Sequence, residues 1–442
     1  MFIVFILIIS GKYRGAAHAE CNINYKDTRT ISVVFHNLTG YDAHLLIQEV
    51  ACGIDGQVNL LPLTKEKYIS FTKIINFGKY NTIKFKFIDS LRFMNSSLDK
   101  LSSYLSNDDL VILKKEFKNL SNYQLNLLKR KGVFPYEYVD GLEKLDEMKL
   151  PSIENFNSTL NGSNISIEEY QHAINVWNAF EDIRTLGDYS DYYLKVDVLL
   201  LAEIFENFRN NCMETYGLDP AHYYTTPGFS WDCMLKYTKV KLELMSDIDM
   251  VLFIEKGIRG GINQCCNRYS KANNKYMKDK YNNNEESKYI VYYDVNNLYG
   301  HSMSESLPYG EFEWVKNLKN TDFFFVGENS DYGYILEVDL DYPQSLHNKH
   351  KDLPFCPVHE KPPNSKIKKL LTTLERKEKY VIHYKYLKQA IDNGLELKKV
   401  HRALKFKQSK WLKEYIDLNT LKRKEATNES KRNLYKLMNN VS

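Results

Sequence analysis

One aspartate stands where a carboxylate could hold a metal ion. Asp294 follows Tyr289–Tyr293, a run of aromatic and branched residues that predicts a short strand, and the turn-prone pair Asn296-Asn297 comes next. A strand end fixes the backbone while the adjoining loop admits a substrate, so this position suits a metal ligand. Solvation of the turn is the simpler role for such a residue and requires no ligand.

Two further aspartates accompany predicted helices. Asp197 lies in the apolar run VDVLLLA, four residues after Tyr193, so a helix brings a phenol and a carboxylate to one side. A charge among apolar neighbours is costly unless a metal ion, a salt bridge or a buried hydrogen bond offsets it. Asp42 stands between a predicted strand, Thr30–Phe35, and an apolar-periodic helix from about Ala43, where the helix dipole alone favours a carboxylate.

The elements that position these residues alternate between strands and helices, which favours an α/β chain. Further strands are predicted at Ile83–Ile88, at Tyr332–Leu340 and within LELKKVHRAL. Helices are predicted at Ser97–Leu105, within Asp108–Arg130, at Ser166–Phe180, through LGDYSDYYLKVDVLLLAEIFENFRNNC, in the basic stretch from Ser365, at Lys405–Thr427 and at Glu429–Asn440. Residues 271–287 have the low-complexity polar composition of a linker.

Composition and charge are those of a globular protein with a basic segment. The chain has 442 residues, enough for two or three domains, and its 43% hydrophobic and 26% charged residues exclude a disordered chain. The net charge is +4, yet the segment from Lys361 to Lys436 holds 22 Lys/Arg against 8 Asp/Glu. This segment predicts a polyanionic partner, and exposed helices with solvated lysines would explain it equally well. Seven scattered cysteines without CxxC spacing indicate a reducing compartment.

The first ten residues, MFIVFILIIS, are apolar but too short to span a bilayer. They would suit the core of a signal peptide, with AAHA before Glu20 as the cleavage site, but a basic n-region is missing. We therefore expect residues 1–30 to be an atypical, mispredicted or truncated N-terminus. An intracellular protein, in nucleus or cytoplasm and without a membrane partner, follows from this interpretation.

Six motifs, in one order, resemble the family B DNA polymerases, above all their protein-primed branch of phages, adenoviruses, linear plasmids and Polinton (Maverick) transposons. FHNLTGYD resembles the second exonuclease motif, and YYLKVD the third. IDSLRFM is similar to the Ser-Leu motif that holds the single-stranded primer end. GIRGGI is similar to the Tyr-x-Gly-Gly loop, with Ile258 in place of the Tyr. DVNNLYG resembles the first polymerase motif, and KLMNNVS the start of the fingers-helix motif. A single motif of this kind is weakly specific, but six in family order indicate the family.

The resemblance implies a role for each matched residue. Asp42, Asp197 and Asp294 would be catalytic metal ligands, the first two in the nuclease and the third in the polymerase, and Tyr193 would help to orient the attacking water. Residues that would bind DNA are Asn37, Ser90, Leu91, Arg259, Gly260 and Gly261. Residues that would bind the incoming nucleotide are Leu298, Tyr299, Lys436 and Asn440. The implied cofactor is Mg²⁺ in two-metal sites, and the implied partners are primer-template DNA, dNTPs and a terminal-protein primer.

Two parts of the family pattern are missing from this sequence. The first exonuclease motif, Asp-x-Glu, does not occur before Asn37, and the palm motif Asp-Thr-Asp does not occur after Asp294. We therefore expect a chain that is truncated at both ends relative to the family and is catalytically inactive or nearly so on its own. The alternatives are a DNA-binding remnant without catalysis and a nuclease completed by a missing segment.

The sequence as a whole predicts an α/β (α+β) chain that replicates a mobile or viral element. Residues 31–215 would form a partial, ribonuclease-H-like 3′–5′ exonuclease domain, and 216–287 a connecting region. Residues 288–442 would form a partial polymerase palm, with an inserted subdomain at about 311–400 and the first fingers helix.

Overall fold

The computed structural model of the protein describes residues 2–6, 13–18, 29–40, 42–64, 67–78, 82–159, 162, 164–262, 264–321, 323, 326–327 and 330–440. Their strands are β1 (Phe2–Ile6), β2 (Tyr13–His18), β3 (Thr30–Phe35), β4 (Gln57–Pro62), β5 (Tyr68–Asn76), β6 (Thr82–Asp89), β7 (Leu307–Trp314), β8 (Tyr332–Asp341), β9 (Val358–Glu360), β10 (Lys369–Leu371), β11 (Lys377–His383) and β12 (Glu396–Ser409). Their α-helices are α1 (Asp42–Cys52), α2 (Leu98–Ser102), α3 (Val111–Glu116), α4 (Asn122–Leu128), α5 (Ile167–Ala179), α6 (Leu186–Tyr216), α7 (Thr226–Thr238), α8 (Ile248–Gly257), α9 (Leu298–Met303), α10 (His347–His350), α11 (Tyr384–Asp392), α12 (Lys413–Glu425) and α13 (Glu429–Asn440).

The chain divides into two compact units. The first consists of Met1–Cys233 with Ala426–Leu434, and the second of Met234–Glu425 with Tyr435–Asn440. Both contain sheets and helices, so the predicted mixed α/β class is confirmed. None of the helices in the described ranges has the length and apolar composition of a membrane span.

The first unit contains a four-stranded sheet in the order β3-β6-β5-β4. Strand β3 pairs with β6 in parallel, and the other pairs are antiparallel. Because side chains alternate along a strand, Phe35, Phe71 and Phe87 share one face of this sheet. Leu46 and Ile47 of α1 pack on that face. The predicted strands at 30–35 and 83–88 and the helix from Ala43 are confirmed.

Helix α6 is the central element of the helical part of this unit. It begins with a capping box, in which Thr185 and Asp188 satisfy each other's backbone N–H groups, and ends at Gly217 in the left-handed conformation. Its buried residues, among them Leu186 and Leu200, join an apolar core that also includes Leu110, Leu128 and residues of α5. The predicted helices at 166–180 and through residue 212 are confirmed.

The second unit contains a four-stranded antiparallel sheet in the order β11-β8-β12-β7. Helices α8 and α11 pack on this sheet, with Phe253 of α8 against Val381 and Leu404. Strand β8 confirms the prediction at 332–340, and β12 confirms the strand within LELKKVHRAL.

Three sequence-based predictions in the second unit are wrong. Residues 289–293 are irregular rather than a strand, because no strand in the described ranges pairs with them. The basic stretch after Ser365 forms β10 and β11 rather than a helix, since pairing with β9 and β8 overrides its helix propensity. Residues 405–409 continue β12 instead of beginning a helix, and they pair with β7.

The polar stretch at 271–287 is a closed loop rather than an open linker. Asn273 and Lys288 pair through their backbones, and the Asn273 side chain donates hydrogen bonds to the carbonyls of Asn282, Glu285 and Glu286. Composition alone does not reveal this loop, because one buried asparagine organises it.

Candidate active sites

A buried carboxylate organises the ends of β3 and β6. Asp89 is 1% exposed. Its Oδ1 accepts hydrogen bonds from the backbone N–H groups of Asn37 at 2.8 Å and Leu91 at 3.0 Å, and its Oδ2 accepts one from Thr39 at 3.2 Å. Asn37 adopts the left-handed conformation at φ 71°. Asp89 therefore fixes the backbone of the motif FHNLTGYD, and Asn37 stands exposed at its tip.

The hydroxyl of Ser90 is used inside the protein. Ser90 is fully buried and donates to the carbonyl of Phe35 at 2.8 Å, and its oxygen lies 2.9 Å from Nδ1 of His36. Nε2 of His36 lies 3.0 Å from the carbonyl of Ser96. Burial lowers the pKa of His36. Ser90 thus joins the β6 end to the β3 end, whereas the neighbouring Leu91 is half-buried.

Asp197 of α6 forms an ion pair with Lys131, a residue that the sequence analysis did not single out. The Lys131 Nζ lies 3.1 Å from Oδ2 of Asp197. Oδ1 of Asp197 is buried and has no hydrogen-bond partner among the described residues. Burial raises the pKa of Asp197, against the lowering effect of the Lys131 charge. One carboxylate oxygen is therefore held by Lys131, and the other is buried.

Tyr193 shares the Asp197 side of α6, as its spacing predicts. Its hydroxyl lies 2.7 Å from that of Tyr136, its ring stacks on Phe134 at 5.4 Å, and it interacts with the Asp197 carboxylate. Burial, reinforced by Tyr136 and Asp197, raises the pKa of Tyr193. The phenol is therefore a neutral hydrogen-bonding group.

Lys131 also connects Asp197 with the strand ends. The charge of Lys131 lowers the pKa of His36, and that of Asp89 raises it, so both side chains lie near this imidazole. Three separate motifs, FHNLTGYD, IDSLRFM and YYLKVD, thereby converge in the first unit. We refer to His36, Asp89, Ser90, Lys131 and Asp197 as the strand-end cluster.

Asp42 occupies the first turn of α1, where the helix dipole favours its charge. In the described part of the chain, no group of three or more His, Cys, Asp or Glu side chains could hold a metal ion. The donor set of the strand-end cluster nevertheless suits a hard cation at one point. The unpartnered Oδ1 of Asp197 is the oxygen type that Mg²⁺ prefers.

The motif DVNNLYG in the second unit is exposed. Residues 291–295 are irregular, and Asp294 lies among exposed apolar side chains, of which Tyr292 is 91% exposed. Asn297 precedes α9 in the left-handed conformation at φ 55°. Leu298 and Tyr299 begin the helix with more than half of their surface accessible, 73% in the case of Tyr299.

Helix α9 packs against α12, and α12 contacts the end of α13 through a hydrogen bond from Nδ2 of Asn439 to Oγ1 of Thr420. Lys436 and Asn440 of α13 are exposed. Leu298 and Tyr299 therefore lie on a helix that packs against α12, and the end of α13 that carries Lys436 and Asn440 is hydrogen-bonded to the same helix.

The glycine loop after α8 combines an anchored arginine with open glycines. The guanidinium of Arg259 donates to the carbonyl of Val381 at 2.7 Å and lies 3.9 Å from the centre of the Tyr380 ring. Gly260 and Gly261 are exposed, no atom would contact an added Cβ at either one, and Gly261 has φ +79°. The backbone of this loop is thus open to close approach.

Part of the basic excess of the second unit is engaged across its sheet. Four residues of β12 form ion pairs with carboxylates of the neighbouring strands β7 and β8. The pairs are Lys398 with Asp341, Arg402 with Glu337, Lys405 with Glu313 and Lys407 with Glu311. The local charge of the sequence therefore overstates the positive charge available to a polyanion.

The residues missed by the sequence analysis are Lys131, Asp89, His36 and Tyr136. Asp89 carried a usable signal, because it ends a predicted strand as Asp294 was expected to do. His36 and Asp89 stand inside quoted motifs, whereas Lys131 and Tyr136 follow α4 in an irregular segment with no distinctive spacing. Only the fold brings those two to Asp197.

Solved structures of similar fold include complexes of Phi29 DNA polymerase. Phi29 DNA polymerase complexed with primer-template DNA and incoming nucleotide substrates is similar in fold, with a TM-score of 0.52 and 16% identity over 97% of this chain and 62% of that one. Its binary complex with primer-template DNA gives a TM-score of 0.50 and 16% identity over 97% and 61%. This chain thus spans less than two thirds of the length of those structures.

A search of curated proteins found no match. The profile of the family described as DNA polymerase type B, organellar and viral, matches residues 22–442. This match confirms the resemblance inferred from the six motifs. The chain belongs to the organellar and viral type B DNA polymerases.

Proposed function

We propose that the protein takes part in template-directed DNA synthesis for a viral or mobile element, with a 3′–5′ exonuclease in its first unit and polymerase residues in its second. The observation that carries the nuclease assignment is the Lys131–Asp197 ion pair of the YYLKVD motif, whose Lys131 charge acts on His36 of FHNLTGYD. Primer-template DNA and dNTPs are the proposed partners, in keeping with the ligands of Phi29 DNA polymerase, and a terminal-protein primer is a further candidate. The predicted division at 31–215, 216–287 and 288–442 is part of this proposal.

Polymerases of this family generally use divalent metal ions. Mg²⁺ is the cation proposed here, with Asp197 and Asp42 as nuclease ligands and Asp294 as a polymerase ligand. When bound, such ions polarise the scissile phosphodiester and activate the attacking oxygen. Tyr193 would orient that oxygen as a neutral donor, and Lys131 would hold Asp197 in place.

The DNA-binding candidates differ in how well they could contact a DNA strand. Asn37 at the loop tip and the backbone of Gly260 and Gly261 are accessible. Ser90 already donates its hydroxyl proton to Phe35, so its part would be to shape the loop, and Leu91 offers the accessible apolar contact. Arg259 would act through its hold on Val381.

The test is a pair of assays on the purified 442-residue chain with Mg²⁺. Digestion of a 3′-labelled single strand should be slow, since the resemblance supplies only two of the four nuclease carboxylates, and Asp197→Asn should abolish what remains. Asp191→Asn, an exposed aspartate on the same helix, is the matched control and should leave digestion unchanged. Digestion that persists in Asp197→Asn would refute the nuclease assignment.

Primer extension should be weak for a related reason. Asp294 is one carboxylate of an expected pair, and it is exposed. Extension should disappear in Asp294→Asn and persist in Asp279→Asn, a nearby exposed aspartate. Robust synthesis by this chain would refute the expected low activity, and synthesis insensitive to Asp294→Asn would refute its assignment.

The second candidate is a DNA-binding protein without catalysis. The observation that favours it is the exposed setting of Asp294 among exposed apolar residues, together with the basic last turn of α12. This candidate predicts primer-template binding that weakens steeply with salt, and no turnover in either assay.

A further inference from the structure

The sheet of the first unit has a polar face opposite the one covered by α1. Strand register places Lys84 beside Thr30 of β3 and Ile74 of β5, and Lys86 beside Ser32 and Thr72. Two lysines two residues apart on β6 therefore point to the same side. Such a face usually carries uncharged or exposed side chains, but here it carries a buried cation.

This face forms a wall of a cavity of about 460 Å³. Lys84, Lys86 and His222 line it together with Thr30, Thr72 and Asn59. Among the described residues that line the cavity there is no Asp or Glu. A pocket of this size can hold a nucleotide-sized ligand, and its side chains offer positive charge and hydroxyl groups without an opposing carboxylate.

Lys86 is the buried member of this set, at 7% exposed. Its Nζ donates to the carbonyl of Tyr223 at 3.1 Å and lies 4.0 Å from the centre of the Tyr224 ring. No carboxylate in the described ranges pairs with it. Burial lowers the pKa of Lys86 to about 8.

Lys73, on the opposite face of the same sheet, shows what a saturated buried lysine looks like. Its ammonium donates to the carbonyls of Ala51, Ile54 and Gly56, which uses all three of its protons at the end of α1. The Lys86 ammonium donates to one carbonyl and lies over one aromatic ring, so it keeps capacity to donate further hydrogen bonds and carries a charge that no carboxylate in the described ranges compensates. Lys73 has a structural role, and Lys86 requires a different explanation.

The cavity is separate from the strand-end cluster. Thr30 and Lys84 stand near the beginnings of the parallel strands β3 and β6, whereas His36 and Asp89 stand at their ends. Five residues of extended strand separate the two levels by about 16 Å. A ligand in the cavity would therefore be additional to a strand in the nuclease site.

We propose that this cavity binds the 5′-phosphate of a nucleotide, with Lys86 and Lys84 as its cationic ligands and the Thr72 and Thr30 hydroxyls as neutral ones. An anion would compensate the buried charge, in the way that buried cations are paired in other proteins. The same phosphate chemistry is found on a free nucleoside monophosphate and at the 5′ end of an oligonucleotide.

The experiment is calorimetric titration of the full chain in EDTA, which removes metal-dependent binding at the nuclease site. The probes are dAMP, deoxyadenosine and a 5′-phosphorylated tetranucleotide. We expect dAMP to bind and deoxyadenosine not to bind. Tighter binding of the tetranucleotide than of dAMP would identify a DNA end as the source of the phosphate, and tighter binding of dAMP would identify the free nucleotide. Absence of phosphate-dependent binding would overturn the proposal.

Variants assign the binding to the cavity. Lys86→Met should weaken dAMP binding at least tenfold, and Lys84→Met, which changes an exposed residue and leaves folding unaffected, should weaken it about threefold. Lys115→Met, an exposed lysine of α3, and Asp197→Asn should leave it unchanged. Equal affinity in wild type, Lys86→Met and Lys84→Met would refute the assignment, independently of any nuclease activity.

Binding should also depend on pH. Lys84, His222 and the Tyr224 phenol are the other titratable groups that line the cavity with Lys86. Because the pKa of Lys86 is about 8, the charged fraction of Lys86 decreases as the pH rises through that value. The affinity for dAMP should therefore fall up to tenfold from pH 7 to pH 9. Affinity that is constant over this range would contradict a role for the Lys86 charge.

Discussion

The strand-end cluster of the first unit and the DVNNLYG motif of the second differ in how their side chains are held. In the cluster, Asp89 accepts three backbone hydrogen bonds, Ser90 binds two groups and Asp197 is paired with Lys131. In the motif, Asp294 lies in irregular backbone between exposed tyrosines. Both regions match family motifs in sequence.

This difference shows that a matched motif does not by itself specify a preassembled site. Burial and hydrogen bonds to elements distant in sequence provide the rigidity that catalysis requires. The cluster draws on β3, β6, α6 and the segment after α4, all within one unit. The described residues around Asp294 offer it no comparable support.

The largest expected effect is a difference in the free energy of unfolding between variants of two aspartates, each of which follows a predicted strand in the sequence. Asp89→Ala leaves three backbone N–H groups without their acceptor and should lower the free energy of unfolding by about 3 kcal/mol. Asp294→Asn should change it by less than about 0.5 kcal/mol, as an exposed substitution does. Urea denaturation followed by circular dichroism measures both. Similar losses in the two variants would remove the distinction.

Asp197→Asn should change the free energy of unfolding by less than Asp89→Ala does, and in the opposite direction. Its raised pKa means that the fold favours the protonated form, so stability from this group is greatest below its ordinary pKa near 4 and is lost as pH rises through the higher folded pKa. Asp197→Asn should therefore raise the free energy of unfolding at pH 7 by about 1 kcal/mol, a cost typical of functional residues.

The comparison of pH 4 with pH 7 provides the control for this prediction. The advantage of Asp197→Asn should be small at pH 4, and Asp191→Asn should have no advantage at either pH, since Asp191 is exposed on the same helix. If Asp197→Asn is destabilising at pH 7, the carboxylate is structural rather than strained.

The smallest effect concerns the connection through Lys131. Lys131→Met removes a positive charge that lowers the pKa of both His36 and Asp197, so both pKa values should rise. NMR titration of the His36 imidazole measures the first shift. Lys118 is an exposed lysine in the loop between α3 and α4, and Lys118→Met should leave the His36 titration unchanged. A rise of the same size in Lys118→Met would indicate a general charge effect rather than proximity.

Local sequence patterns predicted the elements whose intrinsic preference matches their tertiary packing. Alternation predicted the strands at Ile83–Ile88 and Tyr332–Leu340, and apolar periodicity predicted α5 and α6. The run at 289–293 has strong β propensity but pairs with no strand in the described ranges, and a strand is stable only when paired. The basic stretch around Lys377 has helix propensity, yet Tyr380 and Ile382 are buried against β8, and that burial decides its structure.

The sequence predicted the site only in part. Tyr193 and Asp197 share a helix, so a spacing of four predicts their proximity. Lys131 lies 66 positions before Asp197 and 95 after His36, and no local pattern encodes contacts over such separations. The rule that selected Asp294 as a strand-end carboxylate applies equally to Asp89, whose hydrogen bonds show that it supports a loop.

Hydrogen exchange of the backbone amides in the free protein tests the contrast between the two regions most directly. Amides of Thr82–Asp89 pair with β3 and β5 and should be protected at least about a thousandfold more than those of residues 289–295, which form no strand pairing. Comparable protection of the two segments in the absence of DNA and nucleotide would show that the Asp294 region is already assembled, and would contradict the account.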